Sequence, residues 1–215
     1  LLFYASNDTV YNKLHQVMDF GYNPDDAAPD QWFAVQQPCN DSIYYYFYTQ
    51  TWAWLKYAKI NMKANGGLGG VISKDNILIP TNSTNKITAT PHCNGKDIWV
   101  ISKERCNGPY YIWLLTDTGI SNPILQYSDI EICSGGGSLI VTSDGNIIGN
   151  LFLNSGLDTS GNWWDTLQLY QFDKCTGIMS NPVTIPLYSG AWDMSFSPDN
   201  TKLYVPVYDD ILYYI

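Results

Sequence analysis

The sequence predicts an all-β fold, and within that class a β-propeller of four-stranded antiparallel blades. Three observations predict it. A strand–turn–strand pattern occurs four times, each occurrence is followed by a strand in which large apolar residues alternate with others, and helical periodicity is nearly absent. No segment of about 11 residues combines helical apolar spacing with capping residues. A generic β-sandwich is the alternative, although sandwich strands rarely repeat in phased sets of four.

The four hairpins align without gaps. They are AVQQPCNDSIYYYF, ATPHCNGKDIWVIS, IEICSGGGSLIVTS and MSFSPDNTKLYVPV. In each, a short strand leads into Pro, Asn, Asp, Gly or Ser, which favour tight turns, and the chain then re-enters an apolar strand. The second strands begin in order at Ile43, Ile98, Leu139 and Leu203. These positions are 55, 41 and 64 residues apart, near the period of about 40 to 50 residues that is typical of propeller blades.

Two further strands complete each unit. The third strands are predicted in WLKYAKINM, YYIWLLTD, LQLYQFDK and ILYYI. After the third strand, TDTGISNPI (116–124) and DKCTGIMSNPV (173–183) predict a turn that ends in Ser-Asn-Pro and leads into an outer fourth strand. In the first unit, the glycines of KANGGLGG make this turn before VISKDNILI.

The blades are expected near 31–80, 85–127 and 128–187, with incomplete blades at 1–20 and 190–215, and 23–31 is expected to be a loop between blades. Propellers avoid open sheet edges by closing a ring of about 4 to 8 blades. Four to five blades with both ends inside a blade do not close, and LLFYAS has neither an initiator Met nor a basic leader. We therefore expect the chain to be an incomplete part of a larger propeller.

Composition excludes several functional classes. The chain has 215 residues, of which 45% are hydrophobic and 14% charged, which permits a large core. A net charge of −9 with only 11 Lys and Arg argues against binding to nucleic acid. No apolar run approaches the roughly 18 residues of a membrane-spanning helix.

The cysteines leave two interpretations open. The chain has five of them, without a CxxC pair that would indicate zinc or thioredoxin chemistry, at Cys39, Cys93, Cys106, Cys133 and Cys175. They could form at most two disulfides and leave one thiol, as expected of an exported protein. They could equally be buried small hydrophobic residues.

Four stretches resemble large secreted propeller proteins of the Bacteroidota. LLFYASNDTVYNKLHQVM is similar to their "LLFYTDG-x-x-VWNRNHQVM" opening, KITATPHCNGKDIWVIS to "KLTAVxHxNGKDYWVI", FDKCTGIMSNPV to "FDRCTGxLSNPI", and MSFSPDNTKLYV to "xxFSPDxxKLYV". The resemblance runs in order from residue 1 to about residue 208 and includes elements shared with WD40-like and YVTN-type propellers. SGGGS in place of SPDG, and an insertion after Ser143, depart from the pattern.

The resemblance implies an extracellular or cell-surface location, because these type IX-secreted proteins are often described as gliding-motility-associated. In them the propeller usually precedes further β domains of the same chain. It implies no catalytic residue. Bacteroidota also attach O-glycans at Asp-Ser/Thr followed by an apolar residue or Thr, which makes Thr9, Ser42 and Thr166 candidate glycosylation sites.

Catalytic chemistry is not indicated. The two histidines, His15 in a probable third strand and His92 in a turn, match no metal-binding spacing, and there is no GxSxG nucleophile elbow. The glycines at 135–137 are not placed between a strand and a helix, so phosphate binding is not expected. Solvated loop charge accounts for the acidic residues at Asp25, Asp26, Asp30, Asp209 and Asp210. We therefore predict neither a metal site nor a required cofactor.

The best candidate binding site is NSGLDTSGNWWDT (154–166), which has the composition of a loop. Trp163 and Trp164 are adjacent, so in an extended backbone they point in opposite directions and at least one indole faces outward. Asp158 and Asp165 lie beside them and could bind Ca²⁺, although their spacing matches no known calcium loop.

The sequence therefore predicts a surface module that binds a protein or a glycan or has a structural role. One alternative is an enzyme of the YVTN-like lactonase type. Its site would need polar residues of the innermost strands KITATPH, SDIEIC and WDMSFS, where His92, Glu131 and Asp193 qualify. Another alternative is a structural subunit of a surface filament or secretion assembly.

Overall fold

In the computed structural model, nearly every regular element is a β-strand. The structure describes residues 3–6, 9–12, 14–18, 31–49, 53–128, 130–157, 163–187, 190–191, 193–207 and 213–214. The chain comprises two units, Leu1–Ser83 and Thr84–Ile215. In its described part, the chain has no helix long and apolar enough to cross a membrane.

The first unit contains a two-stranded hairpin and a four-stranded sheet. Its elements are β1 (Phe3–Ser6), β2 (Thr9–Asn12), β3 (Gln31–Gln36), β4 (Ile43–Thr49), β5 (Leu55–Asn61), α1 (Ala64–Gly67) and β6 (Gly70–Ile79). Strands β1 and β2 pair, and the first sheet has the order β3-β4-β5-β6. Within α1, Asn65 and Gly66 have φ of 51° and 68°, so this element is a tight turn between β5 and β6.

The second unit contains three sheets. Its strands are β7 (Ser83–Pro91), β8 (Ile98–Glu104), β9 (Tyr110–Thr116), β10 (Gly119–Ile120), β11 (Ile124–Gln126), β12 (Leu139–Val141), β13 (Ile147–Leu157), β14 (Trp163–Asp173), β15 (Ile178–Leu187), β16 (Ser195–Phe196), β17 (Leu203–Val205) and β18 (Tyr213–Tyr214). The second sheet has the order β7-β8-β9-β10, with β11 also on β9; the third is β12-β13-β14-β15 and the fourth is β16-β17-β18. The predicted fold class, all-β with four-stranded antiparallel sheets, is confirmed.

The hairpin turn of the third sheet lies later than predicted. Residues 130–133 of SDIEIC do not form a strand, and the turn is at 142–146, between β12 and β13. The second strand of the repeat therefore begins at Ile147 instead of Leu139. The four starting positions 43, 98, 147 and 203 are then 55, 49 and 56 residues apart, which is more regular than the predicted spacing. The extra residues predicted after Ser143 lie in the β13–β14 hairpin, where Ile148 pairs with Tyr170, 22 residues later, whereas Trp99 in the second sheet pairs with Leu114, 15 residues later.

The turn was misplaced because glycine is typical both of tight turns and of places where two backbones approach closely. Gly137 has φ of 110°, and a Cβ atom there would lie 2.0 Å from the carbonyl oxygen of Leu151. The SGGGS stretch therefore lets the backbone pass close to β13 instead of making the hairpin turn. The actual turn has side-chain bonds like those of SPDN. Thr142 Oγ1 accepts from the N–H of Ile147 at 3.0 Å, as Ser197 Oγ accepts from the N–H of Lys202 at 3.0 Å.

The Ser-Asn-Pro elements also differ from the prediction. In the third sheet, 180–182 lie inside strand β15, where the register with β14 shifts and Asn181 has φ of 51°. In the second sheet, 121–123 separate β10 from β11, which both pair with β9. Proline lacks an N–H group and the outer strand tolerates this loss. The element is therefore an interruption of the outer strand, not the end of a turn.

Apolar side chains pack between successive sheets of the second unit. The cluster between the second and third sheets comprises Trp99, Ile101, Tyr110, Ile112, Leu139, Ile148, Tyr170, Phe172 and Met179. The cluster between the third sheet and the fourth comprises Leu151, Leu167, Leu187, Ala191, Met194, Leu203 and Val205. The third sheet is thus buried on both faces, as alternation along its strands requires.

Two disulfides connect the second and third sheets. Cys93, in the β7–β8 turn, is bonded to Cys175 in the β14–β15 turn, and Cys106, in the β8–β9 turn, is bonded to Cys133 before β12. Because the β7–β8 and β8–β9 turns lie at opposite ends of β8, the two sheets are linked at both ends. Cys39 is free and exposed, so the disulfide interpretation holds for four of the five cysteines.

Candidate functional site

The predicted tryptophan loop is largely strand. Strand β13 extends to Leu157 and β14 begins at Trp163, and 158–162 lie outside the described residues. The polar residues at 154–157 belong to a β-bulge in strand β13, not to a loop. Phe152 pairs with Thr166 and Gly156 with Trp164, so three residues of β13 lie opposite one residue of β14. The loop prediction is therefore wrong for 154–157 and 163–166.

The indole of Trp164 lies across the bulged strand. A Cβ atom on Gly156 would come within 2.4 Å of the indole Nε1, so only glycine leaves room for this ring. Trp164 is half-buried, which leaves part of a large aromatic surface accessible to a ligand. The side chain of Trp163 and all of Asp158 lie outside the described residues.

Asp165 holds the bulge in place. Its side chain is 3% exposed. Oδ1 accepts the N–H of Asn154 at 2.7 Å, and Oδ2 accepts the N–H of Ala191, in the segment that enters the fourth sheet. A Ca²⁺ ion at Asp165 would have to replace these two main-chain bonds. The weaker alternative, a Ca²⁺ ion bound with Asp158, stays untested, because Asp158 lies outside the described residues.

Two candidate glycosylation residues have buried, hydrogen-bonded hydroxyl groups. Thr166 is 7% exposed and its Oγ1 is 2.6 Å from Ser155 Oγ. Ser42 is 8% exposed, and its Oγ donates to Asn40 Oδ1 at 3.1 Å. A glycan on either residue would have to displace these contacts. The side chain of Thr9 lies outside the described residues, and O-glycosylation stays a prediction.

Two of the three candidate lactonase residues lie at opposite ends of the second sheet. His92, in the β7–β8 turn, accepts the N–H of Asn94 through Nδ1 at 3.0 Å. Glu131 accepts from Asn107 Nδ2 at 3.1 Å, and Asn107 belongs to the β8–β9 turn. Each side chain therefore has a local partner at its own end of the sheet.

Asp193 is also held locally, because its Oδ1 accepts the N–H of Met194 at 2.8 Å. Within the described ranges, no three His, Cys, Asp or Glu residues are grouped so that they could hold a metal ion. His15 lies in a turn with φ of 61°, donating its N–H to the Asn12 carbonyl, so its predicted place in a strand is wrong. The clusters at 25–30 and 209–210 lie outside the described residues.

A cavity that the sequence did not reveal lies between β12 and β16. It has a volume of about 320 Å³ and is lined by Ile140, Val141, Ser143, Met194, Ser195, Phe196, Ser197 and Pro198. Its lining combines apolar residues with three serines, and the cavity is open to solvent. The sequence did not predict this cavity because the hairpin turn of the third sheet was placed before β12, whereas it follows β12.

Contacts between turns connect the sheets at this end of the second unit. The carbonyl of Lys174 accepts from Trp99 Nε1 at 2.8 Å and from the N–H of Cys93 at 3.2 Å, and its Nζ donates to the Asp144 carbonyl. Ser143 in turn donates its N–H to Asn200 Oδ1 at 3.0 Å. The turns of three successive sheets are thereby joined in series.

Two buried lysines were also missed. Lys86 on β7 donates from Nζ to Asn150 Oδ1 at 2.9 Å, and burial, with the charge of Lys103, holds its pKa well below the usual value. Lys103 on β8 donates to the carbonyls of Glu104 and Cys106, and burial lowers its pKa to about 8. The available signal was a lysine within an apolar strand of a chain that has few basic residues.

No known protein family and no curated protein sequence matches the chain. Solved structures do. A candidate 6-phosphogluconolactonase from Bacteroides uniformis is 13% identical with a TM-score of 0.51. A second one, from Bacteroides fragilis, is 12% identical with a TM-score of 0.49. The tricorn protease is 12% identical with a TM-score of 0.46.

The chain spans only part of these proteins. The matches cover 99%, 96% and 99% of this chain, respectively, but 64% of the Bacteroides uniformis chain, 63% of the Bacteroides fragilis chain and 19% of the tricorn protease chain. At such identities a likeness concerns the fold alone. The likeness to the Bacteroides uniformis structure, together with the four-stranded antiparallel sheets, shows that the chain has a β-propeller-type fold.

Proposed function

We propose that the chain is the ligand-binding propeller of a secreted or cell-surface protein, of the type IX-secreted, gliding-motility-associated kind that its sequence resembles. Two disulfides between the second and third sheets support an oxidising, extracellular location. The resemblance from residue 1 to about residue 208 supports the bacterial surface as the place of action.

The ligand is a protein or a surface glycan. The observation that carries this proposal is the half-buried indole of Trp164, laid across Gly156 at the end of the third sheet. An indole fixed in this way offers a flat apolar face at little entropic cost, and both sugar rings and apolar side chains pack on such faces. Asp165 makes the site rigid by holding the bulge beneath it.

The experiment compares the wild-type chain with a Trp163→Ala/Trp164→Ala variant on a glycan array and in a pull-down with bacterial surface proteins. We expect the variant to lose at least about 10-fold in affinity, as for an aromatic anchor. Tyr127→Ala is the matched control, because Tyr127 is an aromatic residue that is 66% exposed elsewhere on the second unit. Unchanged binding by the double variant would contradict the proposal.

A lactonase is the second candidate. The likeness to a candidate 6-phosphogluconolactonase and the cavity between β12 and β16 favour it, whereas the separate local partners of His92 and Glu131 do not. The purified chain would be assayed for hydrolysis of 6-phosphogluconolactone. A rate above the spontaneous one that falls in a Ser143→Ala/Ser195→Ala variant would support the enzyme; a rate equal to the spontaneous one would exclude this substrate.

A further inference from the structure

The side chains of Lys86 and Asn150 meet in the interior of the second unit. Lys86 is on β7 and Asn150 on β13, which are 64 residues apart in sequence and belong to neighbouring sheets. Both residues are 0% exposed, and the lysine Nζ lies 2.9 Å from the amide Oδ1. A primary amine and a carboxamide are thus held together where water does not reach.

The surroundings favour the uncharged amine. The side chain is fully buried, and a Cβ atom on Gly137 would lie 3.4 Å from the lysine Cε. The face of the Phe152 ring, whose centre is 3.9 Å from Nζ, attracts a cation and opposes this effect, but the loss of hydration outweighs it. Burial, followed by the charge of Lys103, holds the pKa of Lys86 well below the usual value. An unprotonated amine has a free electron pair and is a nucleophile.

A proton donor lies on the other side of the amide. The hydroxyl of Tyr110 accepts from Asn150 Nδ2 at 2.6 Å, so it touches the nitrogen that would have to leave. The Nζ of Lys103 is 5.4 Å from the centre of the Tyr110 ring, so a cation lies beside the phenol ring. The amine, the carboxamide and a hydroxyl that can protonate the leaving nitrogen are therefore adjacent.

We propose that Lys86 and Asn150 form an intramolecular isopeptide bond that joins the second and third sheets covalently. Lys86 Nζ attacks Cγ of Asn150 to give a tetrahedral intermediate. The hydroxyl of Tyr110 donates its proton to Nδ2, the Cγ–Nδ2 bond breaks, and Tyr110 regains a proton from Nζ. The products are one Nζ–Cγ amide and one ammonia, and nothing is oxidised or reduced.

Two features of the fold support this bond. The hydrogen bond of 2.9 Å from Nζ to Oδ1 places the amine beside the carboxamide. Reaction between groups that are already in contact loses little further translational freedom, and both side chains start from buried strands. The product is a neutral amide, so the bond also removes a fully buried amine whose contacts include an amide oxygen and an aromatic ring.

The test is the intact mass of the purified wild-type chain after reduction of its disulfides. We expect a mass about 17 Da below that of the sequence, because one ammonia is lost. Proteolysis should then yield one branched peptide that contains both residues. A chain at the sequence mass overturns the proposal. A succinimide at Asn94-Gly95 gives the same mass loss with linear peptides only, and that result also overturns it.

Variants test the individual roles when each chain is recovered unfolded from inclusion bodies, before the bond has formed, and is then refolded while its mass is followed. Tyr110→Phe should slow the mass loss by about 100-fold, as expected on removal of a general acid, and Lys86→Met should abolish it. Lys174→Met is the control and should react as the wild type does, because Lys174 lies in the β14–β15 turn. The rate should not depend on protein concentration. An unchanged rate in Tyr110→Phe would exclude its assigned role.

Discussion

Replacing Asp165 by Asn tests whether this carboxylate holds the bulge of the third sheet. Each of its two oxygens accepts a main-chain N–H, from Asn154 and from Ala191. An Asn side chain has one acceptor oxygen, so it can accept only one of these two N–H groups. Its NH₂ group, which is a donor, would face the other N–H group. A hydrogen bond to a charged group contributes about 1.5 to 3 kcal/mol, and an unsatisfied buried donor adds to the loss. We expect the free energy of unfolding to fall by about 3 kcal/mol.

Urea unfolding, followed by fluorescence with the disulfides intact, would measure the loss. With an m-value of about 2 kcal/mol/M, the midpoint should fall by about 1.5 M. The matched control is Asp193→Asn, because Asp193 is exposed and, among the described residues, its carboxylate accepts the adjacent N–H of Met194. Its effect should stay within about 0.5 kcal/mol. If Asp165→Asn unfolds at the same urea concentration as the control, the carboxylate does not hold the bulge.

Three further changes have expected outcomes. Gly137→Ala should lower the free energy of unfolding by about 3 kcal/mol or more, since its Cβ would meet a carbonyl oxygen at 2.0 Å, whereas Gly95→Ala, which meets nothing within 4 Å, should cost about 1 kcal/mol in thermal melts. Replacing Cys93 and Cys175 by Ser opens a crosslink that spans 82 residues and should cost about 4.5 kcal/mol in urea titrations. Burial lowers the pKa of Lys103 to about 8, so the unfolded chain binds more protons between that pH and about 10.5. Stability should therefore rise with pH across this window, and Lys103→Met should flatten the rise in urea titrations repeated at each pH.

The sequence predicted those parts of the fold that local chemistry determines. The SPDN hairpin was found because Ser197 and Asp199 bond to main-chain groups a few residues away, and such spacing is visible in one dimension. The outer strands and the absence of long helices follow from periodicity in the same way. The predicted propeller class agrees with the sheets and with the Bacteroides uniformis structure.

The errors arose where long-range contacts decide the structure. The glycines before β12 were assigned to a turn because glycine suits both turns and close approaches, and only the position of Leu151 distinguishes the two. The stretch 154–157 has loop composition, but Asp165 and the segment at Ala191 hold it as a bulged strand. Lys86 is buried because β13 supplies Asn150, which is 64 residues away, and local patterning carries no information about that partner.

The serial contacts between turns have a mechanical consequence. Between the second and third sheets, a pulling force would meet the covalent Cys93–Cys175 bond as well as the contacts of Lys174. Between the third and fourth sheets, the same end is joined by the Ser143–Asn200 hydrogen bonds. Under tension the fourth sheet should therefore separate from the third sheet first, while the second and third sheets stay together. The chain would then yield first, and reversibly, at the hydrogen-bonded contact between the third and fourth sheets.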